Sequence, residues 1–133
     1  MTTITATRRA RLRSIAAVAA GIVVGAVLST VADQILHLTG FYGDWGQADH
    51  RDHVFVVALA YRTAFSVLGG YVTARLAPSN GRGHAFALGV AGTALSLAAA
   101  IATIPMDLGP AWYPIALVLV ALPASVLGGR LAR

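Results

Sequence analysis

Asp33 and Arg62 are charges set inside apolar runs, and no other residues in the chain are better placed to do chemistry there. A charge deep in hydrocarbon costs about 2.5–3.5 kcal/mol on insertion scales, so such residues pair, face the protein or line a polar path. Counted from the ends of the runs, Asp33 lies roughly 4–5 Å and Arg62 roughly 12 Å below one boundary, by the rise per residue of a helix. An arginine side chain pointing toward that boundary spans the difference. The expectation is an Asp33–Arg62 ion pair between the first two elements, with Asp107 as the competing partner for Arg62. Such a pair either fixes helix register or marks a polar pathway.

A second polar cluster, His37, Asp44, Asp49, His50, Asp52 and His53, fills the connection between the same two runs. His50 and His53 are three apart, so a helical turn would place both imidazoles on one face, as a metal site beside Asp49 requires. No third ligand is fixed by spacing. The simpler reading is a solvated loop in which Asp49 or Asp52 caps the following helix. Elsewhere no nucleophile stands near a base and no glycine-rich phosphate loop follows a strand, so neither an enzyme nor a cofactor is expected. The chain has no cysteine, which removes disulfides, thiolate catalysis and thiolate metal sites.

The elements that carry these residues are apolar almost throughout. With 57% hydrophobic and 11% charged residues in 133, and a mean hydropathy of +0.73, the composition lies far outside that of a soluble domain. A bilayer core about 30 Å thick needs about 20 apolar residues in a helix. Segments 14–36, 54–76, 84–104 and 112–131 each supply that, after a basic segment at 1–13. Without water every backbone amide must be paired within its own segment, so such runs are helical. Pro123 falls inside the fourth run and should bend it, whereas Pro105, Pro110 and Pro114 sit near ends.

Charge sets the expected orientation. Arg8, Arg9, Arg11, Arg13, Arg75, Arg82, Arg130 and Arg133 fall on one side of the four runs, and only Arg51 falls on the other. The positive-inside rule puts both termini in the cytoplasm, and an even number of crossings agrees. Phe41, Tyr42, Trp45, Trp112 and Tyr113 cluster at the opposite boundary, where amphipathic rings settle. The net charge of +5 is therefore a topology signal, and no nucleic-acid partner is expected. Arg8-Arg9 before an apolar run loosely resembles a twin-arginine export signal, but the run is longer than a 7–15-residue signal core. Every base is Arg and every acid Asp, in a chain rich in Ala, Val and Gly, as GC-rich bacterial genomes encode. The expected location is the inner membrane of a bacterium.

Small residues recur at near four-residue spacing: Gly21, Gly25 and Ser29 before Asp33; Ser66, Gly69 and Thr73 after Arg62; Gly92, Ser96, Ala100 and Thr103; Ala121, Ser125 and Gly129. Residues four apart share a helix face, and membrane helices associate through close backbones and interhelical hydrogen bonds. An all-α four-helix bundle follows, built as one domain. Ser66-Val67-Leu68-Gly69-Gly70 recurs as Ser125-Val126-Leu127-Gly128-Gly129, so the bundle reads as two parallel hairpin repeats.

The run Gly69-Gly70-Tyr71-Val72-Thr73-Ala74-Arg75-Leu76-Ala77-Pro78, the later Gly109-Pro110-Ala111-Trp112-Tyr113-Pro114 and Gly128-Gly129-Arg130-Leu131 together resemble a group of small bacterial four-span membrane proteins of uncharacterised function. The likeness covers about residues 54–131. It implies a four-helix integral membrane protein and brings no catalytic residues with it. Length and span count are also similar to the small multidrug transporters. Those rely on a glutamate midway along the first helix, whereas this chain has no Glu and Asp33 lies near a helix end. The role expected is a structural or accessory one in the lipid bilayer, as a homo-oligomer or beside another membrane protein. The other readings are a small transporter or channel built on Asp33 and Arg62, and a metal or ligand sensor built on the His/Asp loop.

Overall fold

The computed structural model describes residues 2–132. Four helices follow one another: α1 (Thr2–Leu38), α2 (Asp52–Leu76), α3 (Gly81–Thr103) and α4 (Trp112–Leu131), with a 3-10 turn at Ile104–Met106. Each of the four is long and apolar enough to cross a membrane.

Local chemistry explains most of the boundaries. Asp52 opens α2 with a carboxylate at its positive end, and Ala77-Pro78 closes it, the Ala77 amide still reaching the Thr73 carbonyl at 3.0 Å. Asn80 caps α3 from the left-handed region (φ 47°), its side chain accepting from the Gly83 amide at 3.2 Å. Pro114 sits in the first turn of α4, where no helical partner for its nitrogen is needed, and α4 continues unbroken through Pro123.

The largest departure from expectation is α1. From Thr2 onward the basic segment forms the first turns of a 37-residue helix, about 55 Å long, so the helix begins well before the apolar run expected at 14–36. Residues 2–13 hold no Gly or Pro, and from Ala6 on they are mostly Arg, Ala and Leu, so nothing stops the helix there. Arg8, Arg9, Arg11 and Arg13 all stand exposed on it.

α4 packs along both α2 and α3, and α2 packs along α1; α1 meets α3 over a shorter stretch. The closest approaches are made by glycines. A Cβ at Gly21 would lie 2.8 Å from the Gly69 carbonyl oxygen, and one at Gly69 would lie 2.9 Å from that of Gly21, so α1 and α2 cross backbone to backbone. Gly70 lies against the Ser125 backbone and Gly128 against the Val67 carbonyl and the Tyr71 amide. The two Ser-Val-Leu-Gly-Gly motifs therefore pack directly on one another at the α2/α4 crossing. Gly89 and Gly129 bring α3 and α4 together, meeting Leu122 and Ala85.

Buried hydrogen bonding between helices is sparse. Thr73 is fully buried and donates to the Ala17 carbonyl of α1 at 2.9 Å. Ser66 and Thr93, at 2.9 and 2.8 Å, donate instead to carbonyls one turn back in their own helices. At the arginine-rich end, His84 donates from Nδ1 to the Asn80 carbonyl at 2.9 Å. Its Nε2 then accepts from the Ser14 hydroxyl at 2.8 Å, joining α1 to α3.

Candidate functional site

α1 and α3 separate beyond this joint. Near Gly21 they are close, since a Cβ there would touch the Leu88 side chain. One turn on, no α3 atom lies within 4 Å of the Cβ position at Gly25, and no α1 atom lies that near the one at Gly92. A cleft of about 710 Å³ opens between the two helices, floored by α2 and α4. Its volume falls within the roughly 300–1,000 Å³ of small-molecule sites. The expected packing stripes thus divide. Gly21, Gly69, Ser125 and Gly129 sit at close helix contacts, the first three where the cleft begins, while Gly25, Ser29, Ser66, Gly92 and Ser96 line its open part.

Asp33 and Arg62 meet at the arginine-poor end of this cleft. Arg62 donates from a terminal guanidinium nitrogen to Asp33 Oδ2, and Tyr61 donates its phenol to Oδ1. The Tyr42 and Tyr61 hydroxyls are 2.5 Å apart. Because the Tyr61 proton is engaged with Asp33, Tyr42 is the donor of that bond, and the chain of donation runs Tyr42 to Tyr61 to Asp33. Both Asp33 oxygens are satisfied and its side chain keeps 18% exposure, against 33% for Arg62. Arg62 Nε is buried without a partner.

Above the pair lies a second cavity of about 460 Å³ beneath the connection between α1 and α2. Asp33, Phe55, Arg62, Leu108 and Tyr113 line both cavities. The ion pair therefore stands at the junction of a lateral cleft and a terminal pocket. In the pocket wall the His37 ring stacks on Trp45 at 3.7 Å between centroids and bonds the Gly43 carbonyl through Nδ1 at 2.8 Å. Gly40 and Gly46, at φ near +80°, take the two turns of this loop that side chains would strain.

The remaining polar residues tie the two connections of this end together. Asp49 is gripped by Arg51 through Nε at 2.9 Å and a terminal nitrogen at 2.7 Å, and the Asp49 amide donates to the Leu108 carbonyl at 2.8 Å. The Arg51 guanidinium holds the Asp49 carboxyl down at about 2. His50 Nε2 lies 3.0 Å from Asp107, and Trp112 donates to Asp52 at 2.9 Å. Burial pushes the Tyr42 phenol above its ordinary value.

These contacts revise three expectations. Asp107, exposed in the turn between α3 and α4, pairs with His50, while Arg62 takes Asp33. Asp49 and Asp52 do not cap α2, whose N-cap is Arg51, since their carboxylates are engaged by Arg51 and Trp112. His50, His53 and Asp49 do not converge: His53 turns its edge to Phe41 while the others take separate partners. Among the described residues no group of three or more acidic, histidine or cysteine side chains is placed to hold a metal.

Tyr42 and Tyr113, expected only as boundary aromatics, stand at the ion pair, and Tyr61 joins them there unexpected. Tyr61 adjoins Arg62 in the chain and was the one legible hint, since a phenol beside an intramembrane charge is a ready donor. Comparison with protein-family models, curated proteins and solved structures gives no match for the chain.

Proposed function

We propose that this chain is an integral membrane protein of four crossings, with both termini in the cytoplasm of a bacterial cell, acting as a structural or accessory component and not as an enzyme. The observation that carries the reading is the pairing of four long apolar helices, joined by glycine crossings, with seven arginines among the described residues at one end of the bundle. Contacts with lipid, a second copy or another membrane protein supply its role, and the side on which α1 and α3 part is the surface available for them. The resemblance to small bacterial four-span proteins and the repeated Ser-Val-Leu-Gly-Gly motif fit two hairpins related about an axis along the membrane normal.

Topology is tested by Trp45→Cys and Asn80→Cys in this cysteine-free chain. An impermeant thiol reagent applied to intact cells should label the first and miss the second. Labelling of both from one face would overturn the reading.

A second reading, a small transporter, is favoured by the meeting of two cavities at Asp33 and Arg62. Against it, the bundle is closed toward the arginine-rich end by the Gly21–Gly69 crossing, Leu88 and the Ser14–His84 bond. The accessory reading expects no ion or solute flux above that of protein-free liposomes after reconstitution. Flux abolished by Asp33→Asn would establish transport instead.

A further inference from the structure

We propose that the lateral cleft and the terminal pocket form one binding site for a lipid amphiphile with an acidic head, its acceptor oxygens on Arg62 and its acyl chain between α1 and α3. The inference rests on the membrane reading above. A mainly apolar cleft of about 710 Å³ open to the bilayer is filled by something apolar. Water gains little from walls rich in Ala, Leu and Gly, where the Thr30, Ser66 and Thr103 hydroxyls already donate to carbonyls of their own helices.

What fills it is decided at its polar end. Asp33 accepts from two donors and is largely covered, so it has little left to offer a cation. Arg62 is the open partner: one guanidinium nitrogen is engaged with Asp33, a third of the side chain stays exposed, and Nε has no acceptor. The unmet demand at the junction is for hydrogen-bond acceptors, which a carboxylate or phosphate supplies with complementary charge. The pocket above, at the level where Trp45 and Tyr42 sit, gives such a head room of about 460 Å³. A polar head and an apolar chain on the two sides of one arginine describe an amphiphile better than a helix of a second copy, whose acid at this level, Asp33, is already taken by its own Arg62 and Tyr61.

Oleate, oleylamine and oleyl alcohol, matched in chain and differing in head, are titrated against the full-length protein in a neutral detergent and followed by native mass spectrometry. Oleate should bind one to one and about tenfold more tightly than the other two, the scale of a charge-assisted hydrogen bond. Asp33→Asn with Arg62→Gln should abolish that preference while retaining the chain. Ser96→Leu, which fills the cleft and leaves the ion pair intact, should weaken all three. Oleylamine binding as tightly as oleate, unchanged binding by Ser96→Leu, or a stable dimer that excludes every amphiphile would overturn the proposal. With thiol labelling still on opposite faces, any of these would leave the four-span reading standing.

Discussion

Arg62 loses more than a charge pair if its partner is removed, because its guanidinium is mostly enclosed and already has one nitrogen without an acceptor. Breaking a buried pair from one side costs about 3–5 kcal/mol, whereas removing both partners often costs less than either single change. Asp33→Ala and Arg62→Ala should each lower the unfolding midpoint in detergent, and the double variant should fall short of their sum by at least about 1 kcal/mol. Additive losses would mean the two side chains do not act together. Asp49 gives a weaker, pH-dependent effect. Its carboxyl is held at about 2, below the ordinary 3.8, by Arg51. The folded state therefore gains from ionised Asp49 above about pH 4, and that gain disappears as pH falls toward 2. Arg51 is half exposed, so water screens the pair and the gain is small. Asp49→Asn should match the native chain near pH 2 and be slightly less stable at neutrality, as circular dichroism melts at the two pH values would report.

At the scale of elements, the glycine crossings and the threonine bond make separable contributions. Thr73→Val keeps the shape and removes the bond to the Ala17 carbonyl, for an expected loss of about 1 kcal/mol. Gly70→Val drives a branched side chain into the Ser125 backbone of α4, where no rotamer can avoid it. Overpacking costs about 1–3 kcal/mol even where a core yields, and here the obstacle is backbone. Gly92→Ala, at the cleft wall where the nearest atom to its Cβ is 3.8 Å away, should be neutral or slightly stabilising. Detergent melts should place Gly70→Val lowest, Thr73→Val next and Gly92→Ala at or above the native chain, and equal losses at Gly70 and Gly92 would refute the division between crossing and cleft. The helices and the Asp33–Arg62 proximity were legible in the sequence because periodicity and length leave a run of apolar residues few choices. Which small residues pack and which line a gap was not, since Gly25 and Gly21 share a stripe and differ only in how far α3 has swung away. The ties between the two connections were equally hidden: His50–Asp107 and Asp52–Trp112 join residues far apart in the chain whose types are ordinary in loops.

Taken whole, and on the four-span reading, the molecule separates what inserts it from what holds it together. The first helix carries four exposed arginines on turns that extend about 18 Å beyond its apolar part, as the helical rise gives for residues 2–13. None of those side chains forms part of the bundle contacts described above. On the four-span reading, charges flanking the first crossing do much to set orientation, and residues in short connections reinforce it. Replacing Arg8, Arg9, Arg11 and Arg13 together by Gln leaves Arg75, Arg82, Arg130 and Arg133 against Arg51. The bias falls from eight against one to four against one, and the first helix, which inserts before the others, no longer carries it. A mixed population is expected, with an Asn80→Cys thiol in this background labelled from outside in a measurable fraction of molecules. The unfolding free energy in detergent should stay within about 0.5 kcal/mol of the native chain for each exposed position, so the melting midpoint should barely move. If the midpoint drops while labelling stays one-sided, the arginines belong to the packing and the separation of insertion from stability is wrong.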